Sequence, residues 1–193
     1  MKIYTGTFLI ITLLLSTISN AQEHRLSFEF NSGASYATKN LGGADLKIGG
    51  GFEGVFAYRV MPHLQLLGGW GWNKFSSDNS FAGRNIDFEE TGYIFGFQFK
   101  HPFAVTNFQY YIRLNGLYNH IELENEDGEI IDDTGHGFGF QTAIGIALPI
   151  SESWTLTPGV KFNTLERTLD SELYSKKLQQ NYLSLRVGIE YQF

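Results

Sequence analysis

The side chains with most chemistry in them are acids and histidines. The stretch Ile121-Glu-Leu-Glu-Asn-Glu-Asp-Gly-Glu-Ile-Ile-Asp-Asp133 holds seven carboxylates, from Glu122 to Asp133, and no base. Clustered carboxylates hold Ca²⁺ or Mg²⁺ where a loop makes them converge. The spacing here is not that of a helix–loop–helix calcium site, because placing Gly128 in its glycine slot puts Leu123 at the first ligand position. His120 and His136 flank the stretch and would face each other across a hairpin, and two imidazoles with a carboxylate suit a divalent transition metal. A solvated acidic tip with loose cross-strand neighbours accounts for the same residues, so no metal or other cofactor is assigned from spacing. The remaining histidines are His24, His63 and His101, the last two each beside a proline. No histidine has a serine two positions away, and Lys-Ile-Gly-Gly-Gly-Phe-Glu-Gly lacks the Lys-Ser/Thr of a phosphate loop. No catalytic residue is assigned, although triads assemble in space rather than in sequence.

A second group of charges interrupts apolar stretches: Glu29, Glu53, Glu90 and Glu190 against Arg59, Arg113, Lys161 and Arg186. Each lies on the polar side of an alternating segment. The last segment shows the pattern: Leu183, Leu185, Val187, Ile189, Tyr191 and Phe193 alternate with Ser184, Arg186, Gly188, Glu190 and Gln192. Period two over eleven residues predicts a β-strand with two unlike faces. Similar segments begin near Arg25, Leu46, Leu64, Glu90, Phe108, Gly137 and Trp154, giving eight strands. Such strands cross a bilayer without a long apolar run, because alternation averages their hydropathy toward zero.

The links between segments alternate in length. Met61-Pro62-His63, 101–106 and 149–153 are short, whereas 37–45, 76–89, 121–135 and 165–181 are long. Short turns at one end and long loops at the other mark an up-and-down membrane barrel, whereas a soluble sandwich gives no reason for the alternation. Aromatics gather near both segment ends: Tyr36, Trp70, Trp72, Tyr93 and Tyr118 toward the long links, and Tyr58, Phe99, Phe108, Trp154, Tyr191 and Phe193 toward the short ones. Amphipathic rings at two heights suit two headgroup layers.

Composition agrees. The start combines Lys2, an apolar run from Phe8 to Leu15, and Ser19-Asn20-Ala21, which predicts a signal peptide over 1–21 and a barrel domain over 22–193. Losing Lys2 takes the net charge from −6 to −7, and with no basic stripe nucleic acid is not an expected partner. The absence of cysteine excludes thiol catalysis and Cys-ligated metal.

The ending Val187, Ile189, Tyr191, Phe193 resembles the C-terminal assembly signal of bacterial outer-membrane barrels, and the chain from 22 to 193 resembles the OmpX- and OmpA-like eight-stranded barrels, notably those of Bacteroidetes-type bacteria. The resemblance implies that the barrel-insertion machinery reads the last strand during assembly. It also implies contact with outer-membrane lipid and lipopolysaccharide, and both mature termini on the periplasmic side.

The expected fold is therefore all-β, an eight-stranded antiparallel up-and-down transmembrane β-barrel. An eight-stranded lumen is just wide enough to be filled by side chains, so the eight charges above should form an interior ion network. Glu29, Arg186 and Glu190 should meet near the short turns, with Arg59 one strand away. The expected function is that of a non-enzymatic outer-membrane protein whose surface loops serve interaction with an unidentified ligand, adhesion or envelope integrity. Alternatives are a narrow pore, a lipid-modifying barrel enzyme and a soluble lipocalin-like carrier.

Overall fold

A strand with unlike faces must turn each toward a matching medium, and a sheet in lipid must leave no edge. The computed structural model describes residues 25–104, 106–170 and 175–193, and these do both. The expected signal segment 1–21 and His24 lie outside the described residues. The described strands are β1 (Leu26–Ala37), β2 (Gly49–Met61), β3 (Leu64–Ser80), β4 (Gly83–Pro102), β5 (Gln109–Glu124), β6 (Ile130–Asp133), β7 (Gly137–Pro149), β8 (Trp154–Asp170) and β9 (Ser175–Gln192). All pairings are antiparallel, β4 lies on β5, and β1 joins β9 to close the ring. The short β6 pairs with β5 and precedes β7 along the same side of it, so the ring itself has eight walls.

Alternation sets the two surfaces. Along β5, Ile112, Leu114 and Tyr118 are exposed on the outside while Arg113, Asn115 and Asn119 are buried inside. The other strands repeat this, with Phe30, Phe56, Phe95, Phe97, Phe140, Ile144, Leu185 and Val187 turned outward. The inside is so narrow that the Tyr111 phenol packs closely against Gly145 and Gly159. A Cβ at Gly159 would collide with its phenol oxygen, and one at Gly145 with its phenol oxygen and Cζ. Glycine is required at these two places by close approach rather than by backbone angle.

The strands run further than the sequence suggests. Three of the four stretches expected as long links, 76–89, 121–135 and 165–181, are mostly strand, and β3 joins β4 through Phe81 and Ala82 alone. In this upper part the polarity inverts. Phe75, Ile86, Phe88, Ile121, Leu123, Leu165, Leu169 and Leu178 point inward and are buried. Outward positions there carry Lys74, Asp87, Glu89, Glu122, Glu124, Glu166 and Lys177. The β1–β2 connection closes the mouth: Leu41 and Ala44 exchange backbone hydrogen bonds of 3.0 and 2.9 Å and are fully buried against Ile86, Phe88, Leu169 and Leu178. The upper third is thus a conventional core with a wet exterior. Burying each of its large side chains is worth about 1.5–3 kcal/mol.

Candidate functional site

Two clusters of charged and polar side chains stand out, one inside the barrel and one on its outer face above the aromatic ring of Trp70, Tyr93 and Tyr118.

Inside, seven of the eight charges singled out from the sequence are buried: Glu29, Glu53, Glu90, Arg113, Lys161, Arg186 and Glu190. Arg59 is half-buried at the short-turn rim, lining the same recess as Lys100 and Glu190. The Arg113 guanidinium donates to both oxygens of Glu29 at 2.8 and 2.5 Å and through Nε to Gln98 Oε1 at 2.5 Å. Such a two-point pair fixes direction as well as charge. Lys161 pairs with Glu53, which also accepts from Gln141 Nε2 at 2.8 Å. Glu90 takes hydrogen bonds from the Tyr182 hydroxyl and Asn119 Nδ2, both at 2.6 Å.

The expected meeting of Glu29, Arg186 and Glu190 does not occur. Glu29 and Glu190 are register partners on β1 and β9. Like charges side by side repel, and each takes a base from the far wall: Arg113 for Glu29, and Lys100 for Glu190 at 2.7 Å. Lys100 stands near the end of β4, close to the short-turn rim. Arg186 turns the other way. Its neighbours across β1 and β2 are Gly33 and Gly51, and the side chain crosses them to donate to the Gly51 carbonyl, to Asn73 Oδ1 at 2.7 Å and to Ser35 Oγ at 3.2 Å. Arg167, which the sequence placed in a loop, donates to the backbone carbonyls of Asn119, Phe138, Gly137 and Glu166. It ties β5, β7 and β8 together where the β7–β8 ladder begins.

These contacts fill the lumen. The cavity between Glu53, Asn73, Glu90 and Arg186 is about 10 Å³, roughly the room for one water. A wider, polar recess of about 240 Å³ opens at the short-turn rim beside His63, Lys100 and Glu190. There the His63 and His101 rings meet at 4.5 Å. The segment offered as an assembly signal forms the lower outer face of β9: Val187, Ile189 and Phe193 are exposed, and Tyr191 packs on Trp154 at 4.8 Å and on Phe193 at 5.1 Å.

On the outer face, Lys74 lies 2.9 Å from Asp87, 2.8 Å from Glu89 and 3.0 Å from Glu124. Burial alone would lower the Lys74 pKa, but hydrogen bonds with Glu89, Asp87 and Glu124 outweigh it and hold the ammonium well above the ordinary lysine value. For Glu89, burial works to raise the pKa. The hydrogen bonds from Lys74 and from Trp72 prevail, and it falls below the usual carboxylate value. Beside this group, on the next strand pair, His120 Nδ1 is 2.9 Å from Asp133 Oδ2 and 3.9 Å from Glu122 Oε1. The His136 ring stacks on His120 at 4.2 Å and meets Tyr118 at 5.2 Å. The two flanking histidines do face each other, and the acidic stretch brings two of its seven carboxylates to them.

No protein-family model matches the chain, and no curated protein does. Solved structures do. Neisserial surface protein A matches with a TM-score of 0.65 at 11% identity, over 87% of this chain and 97% of that one. Outer membrane protein W of E. coli gives 0.54 at 12%, over 89% and 100%. OprG, an outer membrane protein of Pseudomonas aeruginosa, gives 0.52 at 13%, over 86% and 95%. At these identities the likeness is one of fold: an all-β, antiparallel, up-and-down barrel of the small eight-stranded outer-membrane type, as the OmpX- and OmpA-like resemblance implied.

Proposed function

We propose that this chain is a non-enzymatic integral protein of the bacterial outer membrane, with a sealed lumen, and that its working surface is the rim of long hairpins outside the cell. The observation that carries this reading is the inversion of polarity along single strands. Below the ring of Trp70, Tyr93 and Tyr118 the barrel is apolar outside and polar inside, which suits lipid. Above it the barrel is polar outside and apolar inside, which suits water. Contact with lipid and lipopolysaccharide follows from that placement. Both ends of the described chain lie at the short-turn rim, and long hairpins outside the cell would leave them on the periplasmic side. The filled lumen argues against a pore, and its polar lining argues against a carrier of apolar ligands.

The test combines topology with conductance. An epitope inserted at Gly128 should be reached by antibody on intact cells, and one inserted at Glu152 only after the outer membrane is opened. Purified protein in planar bilayers should give no stepwise current. Surface exposure of the Glu152 epitope would overturn the orientation, and discrete channel openings would replace the sealed barrel with the pore reading.

A further inference from the structure

We propose that His120, Glu122 and Asp133 bind a divalent transition-metal ion of the zinc class on the outer face of the β5–β6 hairpin. Their ligand atoms all lie within 4.8 Å of one another. The convergence comes from the ladder. Glu122 and Asp133 are direct cross-strand partners, and His120 stands two residues before Glu122 on the same face of β5. Tetrahedral zinc with bonds near 2.0–2.2 Å places its ligand atoms about 3.3–3.5 Å apart. The observed distances from His120 Nδ1, 2.9 Å to Asp133 and 3.9 Å to Glu122, bracket that spacing, so small rotations admit the ion.

The donor types set the class of cation. An imidazole nitrogen with two carboxylate oxygens suits zinc and its neighbours, whereas calcium and magnesium prefer oxygen alone. The surroundings prepare the set. Gly135 N–H donates to Asp133 Oδ1 at 2.7 Å and so orients the carboxylate, whose two oxygens lie 3.0 and 2.9 Å from His120 Nδ1. His136, stacked at 20° to the plane of His120 and itself lying on Tyr118, fixes the ring that must present its nitrogen. Charge also favours a resident cation. The neighbouring acids Asp87, Glu89 and Glu124 share the Lys74 ammonium, while the side chain beside both Glu122 and Asp133 is an imidazole, His120. An ion here would take the place of the hydrogen between Nδ1 and Asp133, with the neutral imidazole carrying its one proton on Nε2. Three protein donors leave at least one coordination position open to water or another ligand.

The experiment is a metal titration of the purified, detergent-folded chain, with Co²⁺ as the spectroscopic probe and Zn²⁺ as its competitor. The expected result is one equivalent of Co²⁺ with visible absorption of a low-coordinate site, displaced by Zn²⁺. His120→Ala and Asp133→Asn should each weaken Zn²⁺ binding at least about tenfold, while Glu129→Gln, in the same hairpin, should leave it unchanged. Each variant is scored only after its unheated gel mobility shows a folded barrel, and two independent ligand variants keep the test alive if one does not fold. The proposal is overturned if no saturable equivalent binds, or if Ca²⁺ binds as tightly as Zn²⁺ and His120→Ala leaves affinity unchanged. The latter would make the cluster a diffuse acidic patch.

Discussion

At the scale of single residues, the inside of the barrel is governed by the cost of a lone charge. Glu29 and Arg113 are both buried and meet at two points, so neither can be removed alone without stranding the other. Arg113→Ala should destabilise the folded barrel by about 3–5 kcal/mol, read from urea-dependent folding into lipid vesicles. Replacing both partners, as Glu29→Met with Arg113→Met, should recover most of that loss, because two apolar groups of similar size need no mutual neutralisation. A double variant no more stable than the single one would show that the remaining lumen contacts, not the stranded acid, set the cost. The identities of seven buried charges were legible from sequence, since each interrupts an apolar segment on its polar side, whereas Arg167 sits in a stretch that reads as a loop. Their pairing was not. Which base reaches which acid depends on the far wall and on gaps such as Gly33 and Gly51, which alternation within one strand does not reveal.

At the scale of strands and hairpins, the ring of aromatics marks where the medium changes. On the outer face of β5, Leu114 lies below Tyr118 and Glu122 lies above it. Leu114→Lys should therefore cost about 2–4 kcal/mol, whereas Glu122→Lys should cost about 0–1 kcal/mol, in the same vesicle assay. Equal costs would remove the boundary from that height. The β3–β4 hairpin adds a pH dependence. The depressed pKa of Glu89 contributes stability that is present above the ordinary carboxylate value of 4.5 and is lost as pH falls through its lower folded value. The raised pKa of Lys74 contributes stability that is present below the ordinary lysine value of 10.5 and is lost as pH climbs past its higher folded value. Amide exchange near residues 75–89 should thus be slowest between those limits and accelerate toward pH 3, beyond the intrinsic pH effect. No excess acceleration on acidification would deny the Lys74 cluster a role in holding this hairpin. The strands within the membrane were readable from period two. Their upward extensions were not read, although a signal existed. In β5 the apolar positions pass from even numbers (Ile112, Leu114, Tyr118) to odd (Ile121, Leu123), and in β8 from Leu156, Val160 and Phe162 to Leu165 and Leu169. A change of phase without a break is how one strand reports two media, and the acids beside it read as a solvated loop.

At the scale of the whole molecule, the upper core and the membrane belt are separable loads. Phe88 is fully buried among Ile86, Ile121, Leu123 and the inward-folded Leu41. Phe88→Ala should cost about 3–5 kcal/mol locally. It should open the upper hairpins to protease while the unheated protein keeps its folded mobility on a gel. Loss of that mobility would mean that belt and upper core fold as one unit. The inverted polarity also bears on how the molecule is fastened. A belt alone could slide along the bilayer normal, limited only by its aromatic edges. The upper third is a rivet head: charged on its outer surface and held shut by Leu41 and Ala44 from the β1–β2 connection. In the orientation proposed above, it crosses the bilayer as open chain and sets only on arrival. Once set, drawing it back would carry its outer charges into lipid, so in that orientation the same side chains that close the mouth oppose reversal of insertion.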